Sequence, residues 1–261
     1  MKRAPTLVDL DTVPRAFHPL LRGARVMDSS CSPEARVLFI DREGGYYLKS
    51  APRGTLAREA ELTRYFHKKG VSAPILEYVC AERDWLLTAA VAGEDCTHAD
   101  YLANPSRLCD LLAAQLRALH ALDGTDCPVQ QRNRDYFETV RQNRARGVFD
   151  PTFLPKSMQG LRADEAWQIL CEGEACFACN ALLHGDYCLP NILLDNWRFS
   201  GFIDLGGGGV GERHIDLFWG VWTLEFNLHT DRFGERFLDA YGRDAVDPDL
   251  LSLVALAECF G

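Results

Sequence analysis

The chain has 261 residues, 47% of them hydrophobic and 25% charged, with a formal net charge of −9. This is globular composition, long enough for one large domain or two lobes with separate cores, and its acidity argues against a nucleic-acid partner and for a cationic small molecule. No apolar run approaches the roughly 18 residues of a membrane span, and the basic start, MKRAPTLVDLDTVPRAF, lacks the apolar stretch of a signal peptide. A cytoplasmic monomer with no membrane or nucleic-acid partner is expected, its ten cysteines mostly reduced and structural.

In chain order, the small polar segment 28–35 (DSSCSPEA) reads as a turn or loop between strands. The segment 35–50 (ARVLFIDREGGYYLKS) holds two β-rich runs joined by DREGG, a hairpin signal. Residues 57–68 (AREAELTRYFHK) are expected to be helical, with Leu62, Tyr65 and Phe66 marking the buried face. Residues 73–90 read as a second strand pair, and the stretch VAGEDCTHADYLANPSR as a linker. Helix is expected over 108–122, with Leu108, Leu111, Leu112, Leu116 and Leu119 on one stripe. The C-terminal part is mainly helical, and its last helix starts at an Asp247 cap followed by Pro248. The expected fold is α+β with two lobes: a β-rich N-terminal lobe with one main helix over 1–92, and a mostly helical C-terminal lobe over 93–261. Ligands would bind in the cleft between such lobes.

The chemistry concentrates in HGDYCLPNILLDNWRFSGFIDLG, residues 184–206. The runs ILLD and RFSGFID, joined by Asn196-Trp197, read as a hairpin that returns Asp204 to the side of Asn191. An amide and a carboxylate suit Mg2+, a hard cation that prefers oxygen and shares substrate phosphates. Asp186 is left to orient an alcohol or accept its proton, which is the equipment of phosphoryl transfer. Lys49, near the end of a strand, and Glu59, on the following helix, can pair so that the lysine faces nucleotide phosphates. Cys171, Cys176, Cys179, His184 and Cys188 contain a single C-x-x-C pair, whereas zinc ribbons use two, so these thiols read as structural.

The segment LLHGDYCLPNILLDNWRFSGFIDLG closely resembles the catalytic segment of the aminoglycoside 3'-phosphotransferases, the kanamycin kinases. The resemblance extends through YLKS, REAE, RDWLL, LHALDGTDCP and AECF in the same order over nearly the whole chain. It implies a protein-kinase-like fold and transfer of a phosphoryl group from ATP or GTP, with Mg2+, to the 3'-hydroxyl of aminoglycosides of the kanamycin and neomycin class, giving antibiotic resistance. It further implies Asp186 as the catalytic aspartate, also touching substrate, Asn191 and Asp204 as magnesium ligands, and Lys49 with Glu59 as the phosphate-binding ion pair. Ser30, Cys31 and Ser32 would lie in the loop over the phosphates, and Ala89 and Val91 on the hinge that holds the adenine. Glu258 and Phe260 would meet the substrate, and Asp216 would brace the catalytic loop.

The chain departs from that family on the substrate side. Ala257 replaces the usual aspartate before the glutamate, and Gly261 carries the chain end one residue past Phe260. The loop 150–160 (DPTFLPKSMQG) has Asp150 as its only acid where relatives carry several; Asp164 and Glu165 follow at the start of a helix. Gly207 stands where relatives usually have arginine. Two alternatives follow: a kinase of the same fold acting on a less cationic alcohol, and a nucleotide-binding homologue without turnover.

Overall fold

The computed structural model describes residues 3–261. The chain forms two compact units, Met1–Ala99 with Pro190–Gly206, and Asp100–Leu189 with Gly207–Gly261. A single cut after residue 92 would assign 93–99 and 190–206 to the other unit, and hydrogen bonding explains why they belong to the first.

The first unit is built on an antiparallel six-stranded sheet. In chain order it contains β1 (Ala4–Pro5), the short α1 (His18–Leu21), β2 (Arg25–Asp28), β3 (Arg36–Asp41), β4 (Tyr46–Pro52), α2 (Ala57–Lys68), β5 (Ile75–Cys80) and β6 (Arg83–Ala89), with the strands ordered β1-β2-β3-β4-β6-β5. DREGG makes the expected β3–β4 turn, where Glu43, Gly44 and Gly45 all take positive φ and Gly45 N–H donates to the Arg42 carbonyl at 2.7 Å. Strand alternation then separates two functions. Leu48 is fully buried with Leu38, Ile40 and Trp85 on one face, while its neighbour Lys49 points to the other. On α2, Leu62, Tyr65 and Phe66 are buried as the periodicity predicts. The buried Asp84 carboxylate accepts from Leu56 N–H at 2.9 Å, satisfying a donor at the start of that helix.

A three-stranded sheet, ordered β10-β9-β7, completes this unit from β7 (Glu94–Asp95), β9 (Ile192–Asp195) and β10 (Arg198–Phe202). The expected linker is therefore partly structured: Glu94 and Asp95 pair with Leu194 and Leu193. Gly93, at φ 88°, passes so close that a Cβ there would lie 2.0 Å from the Leu194 carbonyl oxygen. The β9–β10 hairpin forms as expected, with Asn196 and Trp197 both left-handed at φ 50° and 65°.

The second unit is mostly helical. It contains the short α3 (Ala99–Leu102), then α4 (Pro105–His120), α5 (Arg132–Ala145), α6 (Ala163–Gly173), β8 (Ala181–Leu183), β11 (Gly209–Gly211), α7 (His214–Leu228), α8 (Gly234–Gly242) and α9 (Pro248–Glu258), with β8 and β11 paired. Helix α4 begins ahead of the expected start, because Pro105 occupies the first helical position. Leu108, Leu112, Leu116 and Leu119 are buried on it, and Leu111 is only half-buried. Asp247 caps α9 by accepting from the backbone of Asp249 and Leu250. No helix among the described residues is long and apolar enough to cross a membrane.

The loop after β8 hangs on Asp216 of α7. This fully buried carboxylate accepts from His184 N–H at 2.7 Å and Gly185 N–H at 2.8 Å, and it lies 3.2 Å from His120 Nε2. Asp216→Ala would leave these groups without their acceptor in a dry interior. We expect it to lower unfolding free energy by about 3–5 kcal/mol in urea titrations, with Asp216→Asn falling in between.

Candidate functional site

The first unit contains a cavity of about 660 Å³ beside Lys49, within the range of small-molecule sites. Lys49 Nζ lies 2.7 Å from Glu59 Oε2 and 2.8 Å from Asp204 Oδ1, so one ammonium is shared by carboxylates from α2 and from the end of β10. Burial pulls the Lys49 pKa down, but Asp204 and Glu59 outweigh it and hold the lysine protonated above its ordinary value. The sequence foresaw the Glu59 partner but not the second one, Asp204.

Asn191 and Asp204 come together as the hairpin requires. Ile203 N–H donates to the Asn191 carbonyl at 3.0 Å, closing the ladder one residue short of Asp204, and both residues line the cavity. Asp204 adopts φ 59°, a left-handed conformation that aspartate tolerates better than most residues. Their donor chemistry, an amide and a carboxylate oxygen, fits a magnesium ion that takes its other ligands from phosphates and water.

Of the residues expected around the nucleotide, Cys31, Ser32, Ala89 and Val91 also line the cavity. Ser30 does not. Its hydroxyl accepts from Val37 N–H at 2.9 Å and its own N–H donates to Asp28, so it fastens the loop to β3, while Ser29 lines the cavity instead.

Asp186 belongs to a separate pocket of the second unit, about 190 Å³ in volume, with Gly185, Arg132, Tyr136, Trp219 and Glu258 among its walls. The Cys188 thiol hydrogen-bonds the Asp186 carboxylate, and burial pushes its own pKa far up, so it stays a neutral donor. Glu258 is buried and accepts from the Tyr136 hydroxyl at 2.7 Å. Burial raises its pKa to about 7 against the pull of Tyr136, Arg132 and a hydrogen bond from Trp219. The Arg132 guanidinium lies 5.5 Å from the Tyr136 ring centroid, and its Nε donates to the Gly207 carbonyl.

Phe260 departs from expectation. Its ring is fully buried against Phe149 and Trp167, and it contributes to the core rather than to the pocket. Arg132, Tyr136 and Trp219 were not foreseen. The available signals were an aromatic-rich α5 and the tryptophans of α7, both of which read equally well as core. The nearby acids of 150–165 are engaged locally: Asp150 accepts from Thr152, Asp164 pairs with Arg144, and Glu165 accepts from Arg162 N–H. Cys171, Cys176 and Cys179 are exposed free thiols.

A model of the APH phosphotransferase enzyme family matches residues 29–253. The chain is 46% identical over 256 residues to a probable aminoglycoside 3'-phosphotransferase of Lactococcus lactis subsp. lactis (strain IL1403), covering 97% of each chain. It is 31% identical to an aminoglycoside 3'-phosphotransferase of Streptomyces fradiae, over 82% of this chain and 85% of the relative. Among solved structures, the crystal structure of aminoglycoside-3'-phosphotransferase of type VIII superposes with a TM-score of 0.74 at 26% identity, over 97% of this chain and 99% of that one. The α+β arrangement is thus the kinase-like fold of these enzymes, and the chain belongs to the APH phosphotransferase enzyme family.

Proposed function

We propose that the protein transfers the γ-phosphoryl group of ATP or GTP to the 3'-hydroxyl of an aminoglycoside of the kanamycin and neomycin class, and that this confers resistance. The observation that carries the donor half is Lys49 held between Glu59 and Asp204 inside a nucleotide-sized cavity. The acceptor half is supported by Asp186 in a pocket with a second carboxylate, Glu258, and by the 46% identity to a probable aminoglycoside 3'-phosphotransferase.

In this reading Lys49 binds the donor's phosphates as a fixed cation. The base rests against Ala89 and Val91. Asn191 and Asp204 hold Mg2+, which when bound offsets phosphate charge. Asp186 accepts a hydrogen bond from the substrate hydroxyl, fixes its oxygen for attack and takes its proton. The Asp216 hydrogen bonds to His184 and Gly185 keep that carboxylate on a rigid loop. Glu258 pairs with a substrate ammonium, and the incoming charge favours its ionised form.

Nucleoside diphosphate release with kanamycin, with 3'-deoxy tobramycin and without drug tests the reading. Turnover is expected with kanamycin only. Asp186→Ala should lower kcat by roughly 10²–10⁴-fold while nucleotide still binds. Turnover with tobramycin equal to that with kanamycin would defeat the 3' assignment. Nucleotide binding without any drug-dependent turnover would favour a different alcohol, or none.

Glu258 gives a second test. Its folded pKa of about 7 lies above the ordinary 4.5, so between these values the folded state binds more protons than the unfolded one. Its contribution to stability is therefore greatest below pH 4.5 and falls as pH rises to about 7, by about 3 kcal/mol in all. Thermal melts of Glu258→Gln across this window should lack that part of the decline. Kanamycin should stabilise the wild type more at pH 8 than at pH 5, and parallel melting curves for the two proteins would remove Glu258 from this role.

A further inference from the structure

The start of α5 is fastened to the segment 207–212 at three points. Val210 N–H donates to the Val129 carbonyl at 2.7 Å, just ahead of the helix, and Glu212 N–H donates to the Asn133 side chain at 2.8 Å. The third bond runs from Arg132 Nε to the Gly207 carbonyl. The first two secure β11 and the residue that follows it. The third falls outside that strand, whose pairing with β8 begins only at Gly209. Helix formation alone does not favour Arg132 either, because it opens α5, where the helix dipole disfavours a cation.

What Arg132 reaches accounts for its place. The Gly207 carbonyl lies directly against Gly185. A Cβ at Gly185 would sit 1.9 Å from that oxygen, and a Cβ at Gly207 would sit 3.1 Å from the Gly185 carbonyl oxygen. Gly185, at φ 84°, immediately precedes Asp186, and its N–H is taken by Asp216 at 2.8 Å. The backbone that leads into Asp186 is therefore fixed by two contacts, the Asp216 carboxylate and the Gly207 carbonyl. A carbonyl that merely abuts a Cα can swing away from it. One that accepts from a guanidinium is held by a charge-assisted hydrogen bond. Arg132 is half-buried and lines the same pocket as Asp186.

We propose that Arg132 is a positioning residue for phosphoryl transfer: by holding the Gly207 carbonyl against Gly185, it fixes where the Asp186 carboxylate meets the substrate hydroxyl. This rests on the role given to Asp186 in the proposed function. A displacement of about 1 Å at a reacting group can cost roughly a hundredfold in rate, so a clamp one residue away from that group has leverage on the chemistry.

The test uses three variants of the full-length protein. Arg132→Met keeps the apolar stem and removes the donor. Arg132→Lys keeps a cation whose ammonium reaches one bond beyond Nε and can donate to the same carbonyl. Asn133→Ala breaks a neighbouring fastening bond and leaves the Gly207 contact alone. With kanamycin and MgATP or MgGTP, kcat should fall roughly ten- to hundredfold in Arg132→Met, with neither KM rising by more than about threefold. Arg132→Lys should return kcat to within about fivefold of the wild type. Asn133→Ala should melt at a lower temperature with kcat unchanged. In the Asp186→Ala background, Arg132→Met should cost less than about twofold, because nothing is left to position. An undiminished loss in that background, no loss in Arg132→Met, no recovery in Arg132→Lys, or an equal loss in Asn133→Ala would overturn the proposal. Should the wild type not turn over kanamycin, the proposed function fails and hydrogen exchange decides the clamp. Arg132→Met should then speed amide exchange over residues 184–187 by about tenfold or more, with 209–212 as slow as in the wild type. Uniform acceleration, or none at 184–187, would reject the positioning role.

Discussion

What the first unit can offer a ligand depends on the placement of one ammonium group. Lys49 is held on the cavity-facing side of β4 because its neighbour Leu48 is fully buried in the core behind the strand. Its two carboxylate partners differ in a way that matters. The Glu59 side chain is 12% exposed and the Asp204 side chain 51%. Glu59 thus acts as the anchor, since separating a buried pair leaves an uncompensated charge. Asp204 stands at the wet end, where turning from the lysine to another cation costs much less. An arriving polyphosphate can take over the lysine's outer side without dismantling the inner pair.

Much of this was legible because it is local. DREGG specifies a turn, alternation specifies which face Lys49 takes, and a two-residue connection between short apolar runs specifies a hairpin whose open end brings Asn191 and Asp204 together. The chemistry of the connection was less obvious. Asn196 readily takes a left-handed conformation, but Trp197 at φ 65° does not, and Asp204 at φ 59° is a third such position in the same segment. Strain of this kind is sustained only where surrounding hydrogen bonds over-determine the backbone. Here the β9 pairing with β7 and the Ile203–Asn191 bond supply that constraint.

The residues that sequence reasoning misplaced are those whose role is set by distant neighbours. Ser30 looked like a phosphate-loop hydroxyl, but Val37, seven residues away, claims its oxygen. Phe260 sits in the motif that suggested substrate contact, yet Phe149 and Trp167 close around it. The linker-like composition of residues 91–107 hid a two-residue strand, because Glu94 and Asp95 carry no β-propensity and pair only once β9 is present. Arg132, Tyr136 and Trp219 come from two helices far apart in sequence, and no periodicity says that they share a pocket with Asp186.

The second unit's electrostatics bear on how selectivity arises. An acidic surface attracts any polycation and discriminates poorly, because exposed pairs are worth little and are screened by salt. In this chain the acids of 150–165 are taken up by caps and surface ion pairs. Beside Asp186, the pocket holds Glu258, a buried carboxylate that is costly to ionise alone. Such a group responds strongly to an ammonium placed within its reach and hardly at all to one that merely passes nearby. Arg132 sharpens this further, since its cation penalises an amine brought to the wrong side of the pocket. Selectivity then depends on where a substrate's charges fall rather than on how many it has.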